Sequence, residues 1–192
     1  RDEAQLRLMP HLDLLHVGRR ILGGTLERHD LKTMEREVLG FDRGEDIPGA
    51  LVPQLYFSWL LHRDRSFLEP VLRHNYLDIV SLAFLSNRLL SYLNPGRLAG
   101  QARIDINLGR LFLSTGWPRE ALQHLSDALE QSSGEEAVTA ARHAARAARL
   151  TGCDPATEGE LWTAAYHRAP ESAVPAIELS KLAEHKQRDF SG

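Results

Sequence analysis

The residues best suited to chemistry are His74 and Asp78, which lie four positions apart in the segment His74-Asn75-Tyr76-Leu77-Asp78. In a helix this spacing places both side chains on one face. The pattern is helical from Ser66 through Leu72 and resumes after His74-Asn75 as a long helix up to Leu93, which places Asp78 in the first turn of that helix. A carboxylate there can hold a divalent ion while the imidazole orients or deprotonates water, which suits phosphodiester hydrolysis. A helix-capping Asp78 and a packed His74 are the ordinary alternative.

The elements that must position this pair are predicted to be mainly helical. Residues Leu12 to Leu22 carry a mixed apolar pattern, which predicts a short strand running into a helix. Further on, Asp30 stands where an N-cap would, and Gly40 supplies a C-terminal stop. We therefore expect a short helix between these two residues.

Two further signals bracket the rest of the first half. Pro48-Gly49 and Pro53 predict a rigid lead-in to a helix, and we expect its aromatic face, with Tyr56 and Trp59, to be core. The breaker Asn94-Pro95-Gly96 ends the long helix that carries Asp78. Because composition shifts toward alanine beyond it, the sequence predicts one domain over residues 1–94 and a second over residues 98–192.

The second half has the spacing of a helical repeat array. Between Asp105 and Leu129, the small and large apolar residues fall at the offsets of a tetratricopeptide helix-turn-helix unit. These residues are Leu108, Gly109, Phe112, Gly116, Ala121, Leu125 and Ala128. A looser unit follows over 137–168, and a third begins at Pro175. Such an array presents a groove to a protein partner, although a generic alanine-rich bundle is the alternative.

An ordered set of motifs in the first half resembles the YprB-like branch of the RNase H-fold exonucleases. The motifs are His11-Leu12-Asp13-Leu14, Arg19-Arg20, the stretch from Leu31 to Gly40, Asp46-Ile47-Pro48-Gly49 and the segment from His74 to Asp78. The resemblance spans roughly Arg1 to Leu93, and several members of the branch carry tetratricopeptide repeats after the nuclease domain. It implies the C-terminal helical part of an RNase H-like domain followed by the repeat array.

The resemblance also implies a DEDD-type nuclease, in which four carboxylates bind two Mg²⁺ or Mn²⁺ ions and cut nucleic acid, commonly from a 3′ end. Only the last carboxylate transfers, onto Asp78 as a metal ligand, with His74 as the catalytic partner that orients water. Such families place a tyrosine four positions before that aspartate or a histidine five before it. Here His74 lies four before and Arg73 five before. The remaining acidic motifs are expected upstream of Arg1, so this chain alone is predicted to be inactive.

Composition sets the outer bounds of the function. The net charge of −3 gives no basic footprint for nucleic acid beyond local clusters such as Arg19-Arg20. The single cysteine, Cys153, excludes an intrachain disulfide and favours a cytoplasmic setting, and no stretch is apolar enough to span a membrane. Because the chain starts at Arg1, we interpret it as part of a longer protein. The alternative function is a non-enzymatic adaptor that binds a protein partner through the repeats.

Overall fold

The computed structural model describes residues 12–94 and 101–189, and every regular element within those ranges is helical. The predicted mainly α fold is therefore confirmed. Contacts group the chain into two units, Arg1–Gly18 with Leu26–Ser91 and Arg19–Thr25 with Tyr92–Gly192. The division into an RNase H-like part and a tetratricopeptide-like part stays a prediction. None of the described helices has the length and apolar character needed to cross a bilayer.

The first helix, α1, covers Leu14–Ile21. The predicted short strand within Leu12 to Leu22 is therefore wrong for this described stretch. The reason is local, since Asp13 Oδ1 accepts a hydrogen bond from Leu15 N at 2.9 Å and so satisfies an amide that a starting helix leaves free. His11, which begins the quoted motif, lies outside the described residues.

The helix predicted between Asp30 and Gly40 is confirmed, with a change of winding along its length. Helix α2 covers Leu31–Met34, and a π-helical turn continues it over Glu35–Leu39. The Asp30 carboxylate accepts from Thr33 N at 3.1 Å, which is the expected cap. Gly40 has a φ of 65°, a left-handed conformation that ends the helix and that glycine adopts without strain.

Helix α3 covers Val52–His62, follows a 3₁₀ turn at Gly49–Leu51 and has a proline in its first turn, as predicted. The expectation that its aromatic face is core is wrong in the described structure. Tyr56 is 43% exposed and Phe57 is 66% exposed, and no residue of α3 is fully buried. The described elements of this unit leave that side of the helix uncovered.

Helix α4 covers Leu68–Ser91 without interruption, so the predicted helix start at Asp78 is wrong. Asp78 lies in the helix interior and cannot act as an N-cap. His74 and Asn75 do not break the helix because each disfavours it by no more than about 0.7 kcal/mol, far less than a proline does. The helix ends before Asn94, and the Pro95-Gly96 part of the predicted breaker lies outside the described residues.

The second unit contains five further helices among its described residues, and each packs against the next along the chain. They are α5 (Ala102–Thr115), α6 (Pro118–Gln131), α7 (Gly134–Thr151), α8 (Pro155–Arg168) and α9 (Val174–Asp189). The predicted turns are present, since Gly116 and Gly152 have φ angles of 83° and 70°. These paired helices fall where the repeat spacing predicted them, and their identity as tetratricopeptide repeats stays a prediction.

Helices α5 and α6 approach each other closely at Gly109. A Cβ atom built on Gly109 would lie 2.3 Å from Leu125 Cγ, a distance that no real contact allows. Leu125 is fully buried beside Ala121 and Ala128, so it has no space into which it can retreat. The sequence argument that small residues bring the two helices together therefore has a direct steric basis.

This close approach predicts that Gly109→Ala destabilises the second unit by about 1–3 kcal/mol, because the new methyl group overpacks the contact with Leu125. Gly159→Ala in α8 is the matched control, since nothing lies within 4 Å of its Cβ position. Gly159→Ala should stabilise by about 0.5–1 kcal/mol through helix propensity. Urea unfolding followed by circular dichroism measures both. Equal effects of the two substitutions would contradict the steric explanation.

Candidate functional site

The two predicted site residues lie one turn apart on the same face of α4 and face each other. His74 Nε2 is 3.5 Å from Asp78 Oδ2, which is too long for a well-formed hydrogen bond. The side chain of His74 is 11% exposed, whereas that of Asp78 is 35% exposed. The predicted pair is thus a real spatial pair, with the carboxylate open to solvent and the imidazole largely covered.

Asp78 does not stand free, because its other oxygen is bound by Arg43. Arg43 Nη2 lies 2.6 Å from Asp78 Oδ1, and the Arg43 side chain is only 4% exposed. The same guanidinium donates from Nε and Nη2 to both oxygens of Glu35, each at 2.6 Å. Its Nη1 donates to Asp46 Oδ2 at 3.2 Å. One buried cation therefore joins three carboxylates from three separate segments.

These bonds keep the guanidinium charged despite its burial. The hydrogen bonds that Arg43 donates to Glu35 raise the pKa of Arg43 above its ordinary value. Burial opposes this shift, and the bonds that Arg43 donates to Asp78 and Asp46 add to it. The planar fork of arginine suits this arrangement, because it can bind one carboxylate through two parallel bonds and still reach others.

Asp46 connects this network to the histidine. His74 Nδ1 lies 2.9 Å from Asp46 Oδ2 and 3.1 Å from Oδ1. Burial raises the pKa of Asp46, but hydrogen bonds from His74 and Arg43 outweigh it and leave the pKa below its ordinary value. Because an ionised carboxylate can only accept, Nδ1 carries the proton. The Nε2 atom is then the one turned toward Asp78, and a neutral imidazole can accept a proton there.

The sequence argument missed Glu35, Arg43 and Asp46 as parts of this site. Glu35 and Asp46 stand inside quoted motifs, and Arg43 falls between them, but none carried a role. A signal was present in the spacing, since Glu35 lies four residues after Leu31 and three before Val38, on the apolar face of its helix, and is 1% exposed. Buried charges of this kind are normally paired, so an arginine partner could have been sought. Lys32 adds a second cation, with Nζ 3.6 Å from Asp46 Oδ2.

Arg73, the residue five positions before Asp78, takes no part in this cluster. It is exposed and lines a surface cavity of about 270 Å³ together with Glu45 and Glu69.

The described residues do not by themselves fit the Mg²⁺ or Mn²⁺ site that the resemblance implies. Across residues 12–94 and 101–189 no group of three or more histidine, cysteine or acidic side chains is arranged to hold a metal ion. The chemical reason is visible at Asp78, where Arg43 already occupies one oxygen. Such ions need several oxygen ligands in fixed geometry, which one ion-paired carboxylate cannot provide.

Comparison with known proteins relates the first half of the chain to one known superfamily. Residues 2–90 match the family model of the RNase H superfamily. This part of the chain is therefore similar to the RNase H superfamily. The chain is also 30% identical over 187 residues to the uncharacterized protein YprB of Bacillus subtilis (strain 168). The match covers 94% of this chain but only 44% of that relative. No solved structure gives a significant match.

The buried position of Arg43 predicts that Arg43→Met destabilises the first unit by about 3–5 kcal/mol, because it leaves the buried Glu35 carboxylate without its cation and removes one of the partners of Asp46. Arg36→Met is the matched control, since the Arg36 side chain is 66% exposed and pairs only with its neighbour Glu37. The control should leave the urea midpoint unchanged. An Arg43→Met protein as stable as the parent chain would contradict the network's structural role.

The lowered pKa of Asp46 predicts an acid-sensitive contribution to stability. A carboxyl group whose pKa is lower in the folded chain stabilises it above the unfolded-state pKa of about 3.9, and this contribution is lost as pH falls through the folded-state value. Asp46→Asn should therefore be clearly less stable than the parent chain at pH 6, and the difference should narrow toward pH 3. Urea midpoints across this range measure it. If the difference in urea midpoint between Asp46→Asn and the parent chain did not change with pH, the lowered pKa of Asp46 would be contradicted.

Proposed function

We propose that this chain is the C-terminal part of a nuclease-like domain, with helical repeats after it, in a metal-dependent protein that degrades nucleic acid from the 3′ end. The observation that carries the proposal is the juxtaposition on α4 of Asp78, which is partly exposed, and His74, which Asp46 orients through Nδ1. The match of residues 2–90 to the RNase H superfamily supports the same class of function.

In this proposal the residues of this chain have distinct tasks. His74 Nε2 would accept or position a proton beside the Asp78 carboxylate, and Asp46 would hold the imidazole in the required tautomer. Arg43 is a positioning residue that fixes the Asp78 side chain. The bound Mg²⁺ or Mn²⁺ ions of such enzymes stabilise charge at the phosphate, and their remaining ligands would come from residues outside this chain.

The incomplete ligand set makes a prediction about this chain by itself. This chain should not shorten 5′-labelled single-stranded DNA or RNA in the presence of Mg²⁺ or Mn²⁺. A longer protein, of the kind that the length of YprB suggests, should shorten these substrates from the 3′ end. In the longer protein Asp78→Asn should lower the rate by about 100-fold or more. Glu37→Gln is the control, because Glu37 is exposed and pairs only with Arg36.

The outcomes separate the proposal from its rival. Degradation by this chain alone, abolished by Asp78→Asn, would refute its incompleteness. A longer protein with no metal-dependent degradation, or with degradation that Asp78→Asn leaves intact, would refute the nuclease assignment and leave the adaptor alternative.

A further inference from the structure

The second unit contains a cavity of about 530 Å³ whose charged lining residues are all arginines. Arg19 and Arg20 come from the end of α1, and Arg103 and Arg110 come from α5. None of the described residues that line the cavity is acidic. The volume is within the range of ordinary ligand pockets, which is about 300–1,000 Å³. A local excess of positive charge therefore exists in a chain whose net charge is −3.

The cavity is held by specific contacts and is not a chance grouping of surface side chains. Asn107 Nδ2 donates to Ile21 O at 3.0 Å and to Gly23 O at 2.9 Å, which ties the turn after α1 to α5. Gly24 has a φ of 77°, and a Cβ built on it would lie 3.1 Å from Arg103 Nε. Arg103 thus lies directly against the backbone of the turn, in space that a larger residue at position 24 would take.

Most of the positive charge at the cavity is not neutralised by neighbours. Arg103 Nη1 lies 3.4 Å from Glu136 Oε1, and both side chains are about half exposed. For Arg19, Arg20 and Arg110, no carboxylate of the described residues lies within ion-pair distance. Uncompensated arginines cost stability by mutual repulsion, so their grouping calls for an anionic ligand.

The positive field extends from the cavity along α7. Burial lowers the pKa of the half-buried His143, and the charges of Arg110, Arg142 and Arg146 lower it further. Arg110 belongs to the cavity, whereas the other two arginines stand on the exposed side of α7. A linear ligand with several negative charges would therefore be more complementary to this surface than a single small anion.

We propose that the arginine cavity, defined by Arg19, Arg20, Arg103 and Arg110, binds the phosphodiester backbone of single-stranded nucleic acid. Guanidinium forks pair with phosphate oxygens through parallel hydrogen bonds, and the Thr139 hydroxyl at the cavity wall is a further donor to phosphate. The choice of nucleic acid over another polyanion rests on the nuclease-like function proposed above. The repeat half would then hold substrate through its charge, without reading base sequence.

The test is oligonucleotide binding by this 192-residue chain in EDTA, measured by fluorescence anisotropy with labelled 20-nucleotide dT and rU probes. Arg103→Gln combined with Arg110→Gln should weaken binding at least 10-fold and reduce the slope of log affinity against log salt by about 1.4, since each lost phosphate contact removes about 0.7. Arg19→Gln combined with Arg20→Gln is an independent variant on exposed side chains and should act in the same direction.

Arg119→Gln combined with Arg168→Gln is the charge-matched control, because both arginines belong to the second unit and neither lines the cavity. Its affinity should stay within about twofold of the parent chain. Circular dichroism shows whether each variant is folded. Equal weakening by control and cavity variants, or no binding by the parent chain, would overturn the proposal. Displacement of the probe by a glutamate-rich peptide at equal charge concentration would overturn it in favour of an acidic protein partner.

This experiment is separate from the test of the nuclease assignment. The binding assay is done in EDTA on this chain, whereas the nuclease assay needs a divalent metal ion and the longer protein. Cavity-dependent binding together with an inactive longer protein would refute the nuclease function alone. An active longer protein with no cavity-dependent binding would refute this inference alone.

Discussion

The first unit depends on a single buried cation. Arg43 joins the π-helical turn through Glu35, its own loop through Asp46, and α4 through Asp78. Burying one charge without a partner costs several kcal/mol, so these groups are stable in the interior only as a set. The Asp30 cap and the Gly40 stop set the two ends of the helix that carries Glu35. The position of Glu35, and with it the cluster around Arg43, therefore depends on these two capping residues.

The same network limits what the site can do as it stands. Arg43 binds one oxygen of Asp78, and that ion pair also neutralises the charge that would attract a divalent ion. Ion binding at Asp78 therefore competes with the guanidinium, and it needs further carboxylates strong enough to outweigh this pair. His74 is less constrained, because Asp46 engages only Nδ1 and leaves Nε2 directed toward Asp78. The Arg43–Asp78 ion pair thus holds the carboxylate in position and at the same time weakens its affinity for a metal ion.

Local signals in the sequence predicted most of the helices. Within the candidate site they predicted only the pair of residues that lie close together in the sequence. Capping by Asp30, the stop at Gly40 and the turns at Gly116 and Gly152 depend on backbone geometry that one residue determines. The pair His74 and Asp78 was found because residues four apart meet on any helix. Arg43 was missed because the whole of α3 and the first part of α4 separate it from Asp78 in the sequence, and no spacing rule covers such a separation. The helix start at Asp78 was wrong because His74 and Asn75 were interpreted as an interruption, whereas α4 continues through them from Leu68 to Ser91.

The second unit shows how a packing pattern can also create a charge pattern. On α7 the alanines from Ala137 to Ala148 face inward and are buried, while Arg142 and Arg146 occupy the intervening exposed positions. Small inward residues let neighbouring helices approach closely, so exposed arginines on different helices lie near one another. Arg110 on α5 and Arg142 and Arg146 on α7 all lower the pKa of His143. The net charge of the chain is a sum over all residues, so it does not reveal this local excess of positive charge. A weakly acidic chain can therefore present a strongly basic surface, because helical periodicity sorts residues by side as well as by polarity.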